Sequence, residues 1–149
     1  MSDLQDLYQE VIIDHGRRPR NKAVMDAPSC QAYGKNPLCG DNITVYLRIE
    51  HDVIVSVSFS GDGCAISTAS ASLMTERIMG KTIEEARHVF NAFHQMLTVS
   101  DCVIDDESLG KLQILAGVQA YPARVKCATL AWHTLVHALD RSETTATTE

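Results

Sequence analysis

No apolar run in this 149-residue chain approaches the ~20 residues of a membrane-spanning helix, so no membrane association is expected. Positive charge is scarce as well. The 13 Lys and Arg residues are scattered and outnumbered by 19 Asp and Glu, which leaves a net charge of -6 and argues against nucleic acid as a partner. The start, Met1-Ser2-Asp3-Leu4, is polar and acidic rather than basic and apolar, unlike a secretory signal. Five cysteines are an odd number, and without an export signal a disulfide framework is not expected. The implied compartment is the reducing cytoplasm. Internal repeats and a second domain are both missing, while 45% apolar residues exclude general disorder. The length suits one domain that buries its core without staples, residues 1–140, followed by a Thr- and Glu-rich flexible tail over 141–149.

What is present reads as an α+β arrangement. Leu4, Leu7, Tyr8, Val11 and Ile12 recur at helical spacing after a Ser2/Gln5 capping box, and Gly16 and Pro19 end that helix. A short strand near 29–33 follows a loop. Ile43, Val45, Leu47 and Ile49 then alternate, as do Val53, Val55, Val57 and Phe59, which predicts an antiparallel hairpin with one buried face. A helix rich in small residues runs from Cys64 to Met79, small enough in section to pack close to the sheet, and stops at Gly80. Thr82 and Glu85 suit a capping box for the next helix. Leu109, Leu112, Leu115 and Val118 suggest a short helix after an acidic connector at 100–107. A last helix carries an apolar stripe of Tyr121, Val125, Ala128, Trp132, Leu135, Val136 and Leu139, with Pro122 in its first turn. The expected fold is a small antiparallel sheet of three strands packed against several helices, most of them C-terminal.

Three cysteines sit beside turns rather than inside these stripes. Cys39 lies in Asn36-Pro37-Leu38-Cys39-Gly40-Asp41, Cys64 follows Gly61-Asp62-Gly63, and Cys127 follows Arg124-Val125-Lys126. Cys127 falls about 120° from the centre of its helix's stripe, off the core and early in the helix. Cys64 stands at a helix start, where unpaired N–H groups favour a thiolate. Cys30 and Cys102 lack such settings and read as small buried hydrophobes. Asp41, two residues beyond Cys39, can reach the same side of its turn. Three thiolates and one carboxylate suit a tetrahedral zinc ion, and the same set could hold an iron–sulfur cluster; spacing separates these poorly. The anionic ligands outweigh Zn²⁺ by two charges, an excess that Lys126, Arg124 or another cation would offset. His133 and His137, further along the last helix, read as surface or packing residues. A cysteine hydrolase is disfavoured because no Cys/His pair with an orienting acid can be argued.

The three motifs Asn36-Pro37-Leu38-Cys39-Gly40-Asp41, Gly63-Cys64-Ala65-Ile66-Ser67 and Arg124-Val125-Lys126-Cys127-Ala128 resemble those of the IscU/NifU-like iron–sulfur cluster assembly family. The resemblance runs from the first helix to about Leu139. Within the family the chain looks like the SufU branch: Lys126 stands where scaffold proteins carry a histidine, and the interval from Cys64 to Cys127 is long. This resemblance implies a zinc site of Cys39, Asp41, Cys64 and Cys127. It also implies a zinc-dependent sulfurtransferase-like role, with Cys39 accepting sulfur from a cysteine desulfurase of SufS type. The desulfurase would supply a histidine that replaces Cys39 on zinc, and Arg124 matches a position that engages this partner. A downstream iron–sulfur scaffold complex would receive the sulfur. The alternatives are a scaffold that builds a transient [2Fe–2S] cluster and a zinc module that only binds a partner.

Overall fold

The computed structural model describes residues 2–99, 103–104, 106–141 and 145–147, with the side chains of 2–7 and 106 left undescribed. The Ser2/Gln5 capping box and Cys102 therefore lie outside the described residues. Helix α1 (Ser2–Arg17) leads to strands β1 (Cys30–Asn36), β2 (Asp41–Glu50) and β3 (Val53–Asp62). Helices α2 (Ala65–Ile78), α3 (Ile83–Thr98) and α4 (Asp106–Leu109) follow, then a 3₁₀ segment, Gly110–Ala120, helix α5 (Pro122–Leu139) and strand β4 (Ala146–Thr147).

The sheet has four strands in the order β3-β2-β1-β4, not the three expected. It is also mixed: β1, β2 and β3 pair antiparallel, but β4 pairs parallel to β1 through Gly34/Ala146 and Lys35/Thr147. The extra strand falls in the stretch read as a tail. Two residues are too few to show the period-two alternation by which a strand is recognised. Ala146 is nonetheless fully buried.

Glu50 and Val53 pair across a two-residue turn whose central residues, His51 and Asp52, have φ of 50° and 63°. Two left-handed residues give a turn whose twist matches the hairpin. The predicted alternation holds on β2 and breaks on β3. The register shifts between Arg48 and Ile49, so that Ser56 pairs with Arg48 and Ile54 with Ile49. Val55 becomes the extra residue of a bulge. The phase flips there, so Ile54 is buried with Val57 and Phe59 while Val55 is 40% exposed.

Helix α5 crosses β1 and β2, and Gly34 is what permits the close approach. A Cβ built on Gly34 would run into Thr134 Oγ1 and come within 3.3 Å of Leu130 Cδ1. The small residues of α2 pack mainly against α1 and α5 rather than the sheet. Ser70 Oγ donates to the Ala128 carbonyl and accepts the Trp132 indole N–H at 3.2 Å. Trp132 itself is fully buried and stacks on Phe93 with ring centroids 4.7 Å apart. The Thr82/Glu85 capping box forms with both bonds in place. Leu109, Leu112, Leu115 and Val118 are all buried; Leu109 ends α4, and the spacing of three among the others matches the three residues per turn of the 3₁₀ segment. Tyr121 leaves the apolar stripe assigned to it: it precedes α5 and is 54% exposed.

Candidate metal centre

The β1–β2 hairpin loop builds the first part of the site. Asn36 ends β1 directly opposite Asp41, the first residue of β2. The Asn36 carbonyl accepts the N–H groups of Cys39 at 3.3 Å and Gly40 at 2.9 Å, and its side-chain Oδ1 accepts the Leu38 N–H at 3.3 Å. Such local bonding is why Asn is favoured at turns. Gly40 closes the loop at φ 76°, in the left-handed region where a side chain is strained. The loop holds Cys39 outward, exposed to solvent, while Asn36 and Asp41 at its base are buried.

Cys64 is the N-cap of α2, and its sulfur accepts the Ser67 N–H at 3.4 Å. Its own N–H donates to Asp41 Oδ1 at 3.0 Å, and its sulfur lies 3.8 Å from Asp41 Oδ2. Asp41 thereby fixes the start of α2 relative to the hairpin loop.

Cys127 departs from the setting inferred for it. Helix α5 begins at Pro122, so Cys127 lies past the first turn and its unpaired N–H groups. It is also buried, 4% exposed, because α5 is enclosed on most of its circumference rather than along one stripe. The off-stripe angle does carry information: Cys127 stands outside the main hydrophobic cluster and faces the hairpin loop. Its sulfur is 3.4 Å from Cys39 Sγ and receives the Asn36 side-chain N–H at 3.7 Å.

The ligand atoms of Cys39, Asp41 and Cys127 lie within 4.8 Å of one another, with Cys64 joined to them through Asp41. No histidine belongs to this group among the described residues. Burial pushes the Cys127 thiol far above the usual thiol range, and hydrogen bonding with Cys39 and Cys64 and the charges of Cys64 and Asp41 push the same way. The four side chains therefore cannot all be anionic unaided, and a central cation would reverse that balance. The donor set fits zinc or iron: thiolates are soft ligands that magnesium and calcium avoid. Tetrahedral thiolates about 2.3 Å from one ion stand roughly 3.8 Å apart. The 3.4 Å sulfur–sulfur and 3.8 Å sulfur–oxygen distances are close to that spacing.

Arg124, in the first turn of α5, is exposed and holds its guanidinium 4.8 Å from the centre of the Tyr121 ring. Lys126 is half-buried beside Cys127. Cys30 is half-buried on β1, opposite Leu47 and apart from the cluster, and burial raises its pKa. His133 packs its ring against Phe90 and His94, each at 5.6 Å, and burial lowers its pKa. A cleft of about 370 Å³ lined by Arg77, Lys81, Glu84, Glu85 and His88 opens near the last turn of α2, the far end from Cys64. Sequence reasoning missed Asn36, which bonds the Cys127 sulfur, and the role of Tyr121 beneath Arg124. The Asn-Pro step was a signal for the turn, but nothing local announced that the amide would reach Cys127.

The chain matches the NifU-like N-terminal domain over residues 7–128. It is 40% identical over 142 residues to the zinc-dependent sulfurtransferase SufU of Bacillus subtilis, covering 95% of each chain. It is 39% identical over 142 residues to the iron–sulfur cluster assembly scaffold protein IscU of Streptococcus pyogenes serotype M1, covering 95% of this chain and 88% of that protein. Among solved structures, one assigned as a SUF-system iron–sulfur cluster assembly scaffold protein from Fervidobacterium islandicum superposes with a TM-score of 0.84 at 37% identity, covering 91% of this chain and 98% of the other. The protein belongs to the IscU/NifU-like family of iron–sulfur cluster assembly proteins and stands with its SufU branch.

Proposed function

We propose that this chain is a SufU-type sulfur acceptor, which takes persulfide sulfur from a cysteine desulfurase onto Cys39 and passes it toward cluster assembly. The observation that carries this reading is the contrast between two sulfurs 3.4 Å apart: Cys39 exposed on a hairpin loop and Cys127 buried on a central helix. A thiol that must meet a partner's persulfide needs the first setting. A thiol that stays behind needs the second. Cys39, Asp41, Cys64 and Cys127 would hold zinc, which supplies the positive charge that keeps these thiols deprotonated.

In the transfer, the Cys39 thiolate attacks the terminal sulfur of the donor's cysteine persulfide. A sulfur–sulfur bond forms on Cys39 as the donor's bond breaks, and the donor's cysteine leaves as thiolate. No external oxidant or reductant is required. Arg124, displayed on the Tyr121 ring one helical turn before Cys127, would contact the donor protein. A desulfurase of SufS type is the proposed partner, with a scaffold complex downstream and the cytoplasm as the working compartment.

Cys39→Ser tests the assignment. Desulfurase turnover should lose its stimulation while the variant retains part of its zinc; undiminished stimulation would remove Cys39 as acceptor. The scaffold reading is favoured by the similarity to the Streptococcus pyogenes relative, an iron–sulfur cluster assembly scaffold protein. Brown protein with charge-transfer absorption after anaerobic reconstitution would support it. About one zinc per chain in a colourless preparation supports transfer.

A further inference from the structure

Asn36 is fully buried, polar and part of no ligand set. It sits opposite Asp41 at the base of the hairpin loop, and the two side chains divide the remaining cysteines between them. Asp41 receives the Cys64 N–H, and Asn36 donates its Nδ2–H to the Cys127 sulfur. Every other polar atom of Asn36 described in a bond serves the loop that carries Cys39: its carbonyl accepts from Cys39 and Gly40, and Oδ1 accepts from Leu38. One residue thus grips the Cys127 sulfur through Nδ2 and the Cys39 loop through its carbonyl and Oδ1.

We infer that Asn36 is a positioning residue that holds Cys127 on the metal and lowers its nucleophilicity, so that Cys39 is the thiolate that leaves and reacts. An N–H···S bond withdraws charge from a thiolate, and buried outer partners of this kind orient and tune metal ligands. The Cys39 sulfur bonds only the Cys127 sulfur, 3.4 Å away, among the described side chains and receives no amide N–H from one. The two thiols therefore differ in hydrogen bonding as well as in exposure. The inference rests on the metal-site reading above.

The test uses cobalt(II) in place of zinc and two variants. Asn36→Asp removes the N–H donor but keeps an oxygen for the Leu38 N–H; Asn36→Ala removes both. The sulfur-to-cobalt charge-transfer band should move to longer wavelength in both variants, with the tetrahedral cobalt bands retained. Sulfur delivered by a desulfurase, mapped by peptide mass spectrometry, should stay on Cys39 in the unsubstituted protein and spread to Cys127 in Asn36→Asp. An unmoved band, a shift confined to Asn36→Ala, or sulfur still confined to Cys39 in Asn36→Asp would each overturn the inference. Should the variants fail to fold, ¹¹³Cd-loaded unsubstituted protein decides by NMR. A correlation from cadmium to the Asn36 side-chain N–H supports the bond, and its absence alongside correlations to cysteine β-protons overturns it. Loss of both correlations, or no cobalt–thiolate band in the unsubstituted protein, would instead remove the metal-site reading.

Discussion

Asp41 meets the Cys64 backbone with one oxygen and the Cys64 sulfur with the other, so its structural role and its proposed ligand role can be separated by a single substitution. Asp41→Asn keeps an oxygen for the Cys64 N–H but loses the charge. We expect a melting temperature close to that of the parent after chelation, together with zinc affinity weakened by at least the roughly 10–100-fold typical of lost outer-shell partners. Competition against a chromogenic chelator measures the second quantity; unchanged affinity would exclude Asp41 as a ligand. Much of this scale is legible in the chain. The two-residue spacing of Cys39 and Asp41 and the glycines around Cys64 point to convergence before any fold is known. Asn36 is different, because its sulfur partner lies 91 positions away. Tyr121 is missed for a related reason: its wheel position fits the apolar stripe, yet the residue precedes the helix and turns outward under Arg124.

At the scale of elements, the site depends on how closely α5 approaches β1, since Cys127 rides on the helix and Asn36 on the strand. The contact between Gly34 and Thr134 fixes that separation. Gly34→Ala forces helix and strand apart, and an overpacked core position of this kind costs about 1–3 kcal/mol. The displacement reaches Cys127, so zinc affinity should fall together with stability. A lowered denaturation midpoint with unchanged zinc affinity would show that the site is insulated from the helix. Helices with strong local signals are readable in advance: Cys64 caps α2, Thr82 and Glu85 cap α3, and Pro122 opens α5. Where tertiary packing overrides local pattern, the reading fails. The β3 bulge flips the phase at Val55, and α5 is enclosed on more sides than its apolar stripe implies. Leu109, Leu112, Leu115 and Val118 carry a period of three, which marks a 3₁₀ segment more than a short α-helix.

Over the whole molecule, two histidines outside the candidate metal-ligand group are expected to weaken stability in acid. His15 is 1% exposed, with Nδ1 2.7 Å from Ser72 Oγ, and burial, aided by Arg20 and opposed by Glu76, lowers its pKa from 6.5. His133 is lowered from 6.5 by burial and by its neighbours His94 and His137. Both groups bind protons more readily when unfolded. Their contribution is complete above about pH 6.5 and is lost as pH falls toward the lowered folded values, at no more than roughly 1.4 kcal/mol per pH unit for each. In the presence of chelator, which removes any contribution from metal release, the melting temperature should hold from pH 8 to 7 and fall below about pH 6. A flat profile down to pH 5 would contradict this. The α+β plan is visible in the order of periodicities, but the fourth strand is too short to announce itself. That strand has a further consequence. Ala146 and Thr147 occupy the outer edge of β1 at Gly34 and Lys35, and an uncovered strand edge is a template for pairing with another chain. Deleting residues 142–149 should make the protein self-associate with rising concentration in size-exclusion chromatography. Two residues that take no part in the chemistry would then be what keeps neighbouring copies from joining their sheets.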